Sequence, residues 1–437
     1  MQHGGLDSKS PDGHTGLSIP SRYGRVGQVL GVKGLKISQC LSRRKNGDNM
    51  SEKNGLQIIE VNNPERFLSL RNDWDNLLSR SAANNPFLTF DWQYTWWQHF
   101  GEKKSLFILL VKKQDLLIAI APFMIVTRLG FKVLEFIGHG RSDYLDFIIC
   151  QDTHEVIKSI FEYLLSNNKL WQVVHLSDIA WTQDHIQTIR KATPNLLSSY
   201  RLYTTCPYIS IAAGWDDFLK SRSQRFRKRV RNNFNRIIRE TISEILNLRK
   251  DALTAELPEY LWEIDKNSWK YKTGTAHFEN ESVRNFFRDI FLKFAAKDWI
   301  EIWIAKHNGI PVAFDVNYLY NRRVYSQEGS YDLSYNGYGS ILTQFALRDA
   351  VEKQYLEFDF LRGDEDYKKL WASAYRDLYQ IVFYGSSLYS RLAYLLLFKI
   401  RWQLASSKRL RRVHSIIKGL SRKSRRLLSS NNTPERR

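Results

Sequence analysis

The chain has 437 residues, of which 43% are apolar and 14% aromatic, and a net charge of +20; it is long enough for two ordinary domains and too apolar in its middle to be disordered. Three scattered cysteines (Cys40, Cys150, Cys206) exclude a disulfide framework or a cysteine-rich zinc site and suit a reducing cytoplasm. No run of about 18 uncharged apolar residues occurs: the longest candidate, 388–404, is interrupted by Arg391, Lys399 and Arg401, and the first residues hold no apolar segment of a secretory signal.

Residues 1–54, rich in Gly, Ser, Lys and Arg without periodicity, are expected to be a disordered extension, with Met50 a second plausible start. Next come a strand at 57–61, an amphipathic helix at 64–79 and an aromatic-rich helix at 91–100 behind the Pro86-Phe87 turn. A hairpin of 105–112 and 116–126 follows, then strands at 132–138 and 144–150, a helix at 154–167 and a strand at 171–176. The second half opens after Gly214 with a helix start at 215–219 and a long basic helix over about 223–246. Helices at 258–270 and 282–297 come next. Ile300–His307 and Pro311–Tyr320 flank Asn308-Gly309, a strong hairpin signal. Val324–Tyr331 continues the ladder beyond Asn321-Arg322-Arg323.

Asn336-Gly337-Tyr338-Gly339-Ser340 then breaks the sheet, and Ile341, Leu342, Phe345, Ala346, Ala350 and Val351 follow at helical spacing. Residues 355–361 form a short apolar strand, and Gly363-Asp364 leads into a helix with acids in its first turn. The class expected is α/β (α+β), with mixed central sheets flanked by helices. A glycine-bearing loop between a strand and a helix start leaves backbone N–H groups unpaired at the positive end of the helix dipole. Such a loop suits a phosphate or diphosphate, although most Gly-x-Gly pairs are ordinary turns.

Four places in the sequence carry a resemblance: Phe87-Leu-Thr-Phe-Asp-Trp92 with Trp96-Trp97, Ser142-Asp-Tyr-Leu-Asp146, Ser223-Gln-Arg-Phe-Arg-Lys-Arg-Val-Arg231, and Phe358-Asp-Phe-Leu-Arg-Gly-Asp-Glu-Asp-Tyr-Lys368. In order and separation, across about 56–385, they resemble the CelD-like (cellulose and exopolysaccharide biosynthesis) branch of the GNAT acyltransferases, related to Fem-type double-GNAT transferases. The resemblance implies two tandem GNAT-like domains, 55–207 and 208–385. The second would bind acetyl-CoA or another acyl-CoA at Gly337, Tyr338, Gly339 and Ser340, with no metal. Ser334 stands where the GNAT loop usually has Arg or Gln, and only Gly337 and Gly339 match its pattern. The implied activity is acyl transfer to an amine or hydroxyl of a saccharide or glycoconjugate precursor. Its rivals are a Fem-like aminoacyl-tRNA-dependent transferase on a cell-wall precursor and a catalytically silent GNAT-like binding module.

Acyl transfer from a thioester needs a base for the nucleophile, donors for the oxyanion and an acid for the departing thiolate. Glu328 is the candidate base, or else a surface carboxylate of a hairpin strand; Asp315 is the other carboxylate within reach. Tyr367 follows the last strand, where the family often places the tyrosine that protonates the thiolate; packing explains it equally well. Asp364 reads as a helix cap, and Lys368 as a phosphate contact or a solvated lysine. Around Phe226, Val230, Phe234 and Ile237, which fall on one helical stripe, Arg225, Arg229 and their neighbours form either a solvated face or a grip on an anionic acceptor.

Asp143 and Asp146 bind a hydroxyl-bearing acceptor or pair with that basic helix, the structural role being preferred. Trp92, Trp96 and Trp97 read as core. Trp269 and Tyr271 fall near the acceptor by resemblance alone. From residue 385 onward, 14 Lys or Arg stand against Glu435 alone. Interleaved with Leu392, Leu395, Leu396, Ile400 and Leu404, they make 386–437 an amphipathic tail suited to the cytoplasmic face of an anionic membrane. RNA ranks lower, since no nucleic-acid motif accompanies the charge.

Overall fold

The computed structural model describes residues 50–53, 55–193, 197–211, 214–239, 243–363, 365–385 and 387–400. The expectations for residues 1–49, Asp364 and 401–437 lie outside them. The first half runs β1 (Met50–Lys53), β2 (Leu56–Val61), α1 (Pro64–Ser69), α2 (Arg71–Ser79), α3 (Phe90–Phe100), β3 (Ser105–Lys113), β4 (Leu116–Arg128), β5 (Phe131–Phe136), β6 (Ile148–Ile149), α4 (Thr153–Ser166), β7 (Val173–Ile179), α5 (Gln183–Ala192) and β8 (Leu197–Ser210). The second runs α6 (Trp215–Lys220), α7 (Gln224–Phe234), β9 (Ser243–Leu248), α8 (Leu257–Asp265), α9 (Trp269–Thr273), α10 (Glu281–Ala295), β10 (Ile300–His307), β11 (Ile310–Tyr320), β12 (Arg323–Tyr331), α11 (Tyr338–Glu352), β13 (Glu357–Asp359), α12 (Asp366–Trp371), β14 (Ala374–Tyr384) and α13 (Leu388–Tyr394).

One mixed sheet carries all of this, in the order β1-β2-β3-β4-β5-β7-β14-β8-β13-β12-β11-β10-β9, with β6 beside β4. The last strand, β14, inserts between β7 and β8 of the first half, and β8 in turn pairs with β13 of the second. Each half therefore completes the other. A continuous apolar cluster follows from this exchange: Trp92 of α3 meets Phe286 of α10 edge to face at 5.2 Å, and Phe294 and Tyr318 pack beyond it. The Trp92, Trp96 pair is core, as expected.

Four sequence expectations change, the first being that the strand expected over 144–150 shrinks to the two-residue β6. The helix expected over 64–79 starts at an Asn63 cap, whose side chain accepts from Arg66 N at 2.8 Å, but breaks at Leu70 into α1 and α2. The helix expected over 258–270 likewise ends at Asp265, and Ser268 caps a separate α9. The basic helix stops far short of 246. After α7 comes one π-helical turn, 235–239, and then β9 pairs along β10. Within β9 the β-branched Ile245 favours extended backbone, and the open edge of β10 offers the segment hydrogen bonds.

Candidate active site

The β11–β12 hairpin decides which carboxylate faces which side. Val316 pairs with Glu328 and Asn317 with Ser326, so Gln327 is the extra residue of a β-bulge. A bulge reverses the alternation of side chains. Ser326 therefore shares a face with Asp315, on the α11 side, whereas Glu328 falls on the opposite face with Val316 and Tyr318. β13 pairs with β12 only from Arg323 to Tyr325, and the sheet opens beyond that point.

α11 begins in this opening. Gly337 caps it at φ +96, with no side-chain cap, and the amides of Tyr338, Gly339 and Ser340 have no acceptor among the described residues. The loop is held from outside: Arg236 Nη2 donates to the Asn336 carbonyl at 2.7 Å and Asn233 Nδ2 to the Gly337 carbonyl at 3.1 Å. The Tyr338 phenol is pinned between Ser243 Oγ (2.8 Å) and His307 Nδ1 (2.7 Å), so only its backbone serves the cradle.

A cavity of about 310 Å³ runs along this cradle; Gly337, Gly339, Ser340, Asp315, Tyr367, Lys368 and Trp269 all line it. Asp315 is buried there. Burial lifts its carboxyl from the usual 3.8 to about 7, against the opposing hydrogen bond from Ser326 Oγ at 3.2 Å. Tyr367 is 45% exposed as a residue. Even so, desolvation around its phenol and the charges of Asp315, Glu365 and Glu328 hold its pKa well above the usual value. Lys368 is buried instead of solvated: its ammonium donates to the Arg362 carbonyl at 2.7 Å and lies 3.2 Å from Glu365, closing the 362–368 turn.

Glu328 is not free. Lys270 pairs with one carboxylate oxygen, and His277 Nδ1 lies 2.5 Å from the other. Burial opposes its ionisation, yet His277 and Lys270 more than offset that and hold the group at about 2. The sequence reading missed both partners. Lys270 lies between Trp269 and Tyr271 with no local pattern that marks it, and His277 sits in a loop with no periodicity to place it.

The remaining candidates lie off the cavity. Arg225 and Arg229 are exposed on α7, and with Lys228 and Arg231 they make no ion pair among the described residues. Tyr271 borders a separate groove with Lys266, Asp332 and Ser334. Asp146 lines another cavity, of about 330 Å³. There Trp181 Nε1 donates to it at 2.5 Å and burial lifts its carboxyl to about 7.

Asp143 pairs with Arg362 (2.7 Å) and not with the basic helix; Arg362 also donates to buried Asp178 at 2.8 Å. The other members of that motif act alike. Ser142 Oγ accepts from Trp92 Nε1 at 2.8 Å, and Tyr144 donates to Asp359 Oδ2 at 2.6 Å, the oxygen that Arg376 also reaches. Three of the four motifs thus bond directly to one another, as a clamp between the halves. Replacing Arg362 by Ala would leave two buried carboxylates without their cation and is expected to destabilise the protein by about 3–5 kcal/mol. The midpoint of chemical denaturation reads this loss.

Among the described residues one group clusters as metal ligands do, and the sequence reading missed it: Glu135, His139 and His175, with ligand atoms within 4.8 Å of one another. As they stand these groups are bonded within the protein. His175 Nδ1 lies 2.9 Å from Glu135 Oε1, and Arg128 donates to Oε2 at 2.7 Å.

Residues 224–369 match the model of the acetyltransferase (GNAT) domain. They form a GNAT-type domain. The match covers the basic helix, the bulged hairpin, the cradle and the turn bearing Tyr367 and Lys368. No curated protein matches the chain by sequence. Among solved structures, FemX superposes with a TM-score of 0.53 at 11% identity, over 75% of this chain and 98% of that one. A conserved protein of unknown function from Bacteroides thetaiotaomicron gives 0.48 at 13% identity, over 73% and 97%. The C-terminal domain of a putative lysylphosphatidylglycerol synthetase from Agrobacterium fabrum gives 0.47 at 8%, over 76% and 95%. At these identities the FemX likeness speaks for fold alone. The architecture is mixed α/β, one large mixed sheet flanked by helices in a GNAT-like tandem arrangement.

Proposed function

We propose that the protein is a cytoplasmic acyltransferase that moves an acetyl or other acyl group from an acyl-CoA to an amine or hydroxyl of a saccharide or glycoconjugate precursor. The observation that carries this reading is one cavity joining an open helix N-terminus, a carboxyl near neutrality and a tyrosine. The co-substrate supplies a diphosphate and an activated carbonyl. The amides of Tyr338, Gly339 and Ser340 suit the diphosphate, since they are unspent and sit at the positive end of a helix of 15 residues. Gly339 keeps the backbone bare on the cavity side.

Asp315, as carboxylate, takes the acceptor's proton, and Tyr367 returns one to the departing thiolate. Glu328 serves less well as the base, because a carboxyl held at about 2 by Lys270 and His277 has little affinity for a proton near neutral pH. Trp269 on the cavity wall offers a ring face to a sugar. Acetyl-CoA at a hundredfold excess over its Kd is expected to stabilise the protein by about 2.7 kcal/mol, seen as a rise in Tm. No rise with any acyl-CoA would reject the reading. The exposed cations of α7 favour a second reading, a Fem-like transferase using aminoacyl-tRNA; under it, aminoacyl-tRNA and not acyl-CoA raises Tm.

A further inference from the structure

The segment that closes the described chain turns one side inward and leaves the other bare. Inward, Ala393 and Phe398 are buried, Tyr394 stacks on Tyr384 at 4.0 Å, and the Phe398 ring lies 4.8 Å from that of His175. Outward, Leu388 is 83% exposed, and Leu392, Leu395, Leu396 and Ile400 are exposed with it, as are Arg391 and Lys399. The start of α13 is tied to the β4–β5 hairpin: Tyr389 packs its ring 4.8 Å from that of Phe131 and donates its hydroxyl to the Gly130 carbonyl at 3.3 Å.

At the tip of that hairpin stands Leu129, 77% exposed, at φ +50 beside Gly130 at φ +83. A two-residue turn with both positions left-handed favours Asn or Gly. Backbone sterics and water both disfavour a bare leucine there, unless something apolar receives it. Two unrelated elements thus present leucines at adjoining places on one surface.

The sequence after this surface, 401–437, carries 12 Lys or Arg against Glu435 alone. We propose that Leu129 and the exposed side of 388–400 dock on an anionic lipid surface. The leucines would enter the acyl boundary while Arg391 and Lys399 meet the headgroups. Among the described residues no helix is long and apolar enough to cross a membrane, and the contact proposed lies flat on the surface. A second copy fits this patch less well, because a two-fold interface would bring the Arg391 and Lys399 cations of both copies into one contact. This inference does not depend on the reaction proposed above.

The test is co-sedimentation of the full chain with vesicles of phosphatidylcholine alone and of phosphatidylcholine with phosphatidylglycerol. The wild type is expected to partition to the anionic vesicles. The L129N/L392Q/L396Q variant is expected to partition at least about tenfold less at unchanged Tm. L129N alone, which suits the turn better than leucine does, should also weaken binding while keeping the fold. Equal partitioning of wild type and variants would overturn the proposal, because the basic sequence alone would then account for binding. So would a wild type with no preference for anionic vesicles, or a dimer in solution that the substitutions dissociate.

Discussion

Replacing Asp315 by Asn is expected to lower the acyl-transfer rate about 100- to 10,000-fold, the usual worth of a positioned general base. Affinity for acyl-CoA should stay near the wild-type value, because the cradle is made of backbone amides on α11. Wild-type activity should rise with pH through about 7, as the buried carboxyl loses its proton, and the variant should lack that limb. Stability should move the other way. The unfolded chain releases this proton near 3.8 and the folded one near 7, so between those values the folded state alone holds it. The cost of burying Asp315 therefore grows as pH rises through that window and is complete above about 7. A shift of this size corresponds to on the order of 4 kcal/mol. Asn carries no charge, so the variant should melt higher than the wild type at pH 8 and alike near pH 4. A variant that kept both its rate and the wild-type pH profile would remove Asp315 from the chemistry.

Replacing Gly337 by Val is expected to abolish measurable acyl-CoA binding, a loss of at least about 100-fold from the combined backbone strain and clash. The residue sits at φ +96, and a Cβ there would fall 2.4 Å from Arg236 Nη2 and 2.5 Å from Asn233 Oδ1. Both contacts are side chains that brace the loop from behind, so relieving the clash would release the brace and move the amides. Gly339→Val separates the cradle from global folding. The nearest atom to its added Cβ is on the Tyr331 ring, at 3.1 Å, so it should weaken binding while Tm falls less than in Gly337→Val. Calorimetric titration with acetyl-CoA reads both. Wild-type affinity in each would mean that the diphosphate is held elsewhere.

Local chemistry made the hairpins and the cradle legible in the sequence. Asn308-Gly309 and Asn321-Arg322 both take left-handed backbone as their turns require, and the period of 341–351 gives α11. What failed was non-local. β8 and β14 pair with each other across the length of the second half, Ala374 with Tyr208 and Tyr384 with Leu197, and such a distant pairing leaves no local pattern to announce it. The bulge at Gln327 is likewise silent in sequence. Counting alternate residues through it puts Ser326 and Glu328 on one face, whereas the register separates them, and with them the roles of Asp315 and Glu328. Asp143 was expected near cations, but its partner is Arg362 at the end of β13 and not the basic helix. The motif residues could be recognised in the sequence; which of them face one another depends on the strand exchange.

Amide hydrogen exchange over residues 337–343, with and without acetyl-CoA, reports whether the α11 N-terminus holds the co-substrate. Acetyl-CoA is expected to slow exchange of the Tyr338, Gly339 and Ser340 amides, and Gly337→Val to remove the effect. Exchange in that peptide unchanged by acetyl-CoA, with protection appearing elsewhere or nowhere, would contradict that role for the α11 N-terminus.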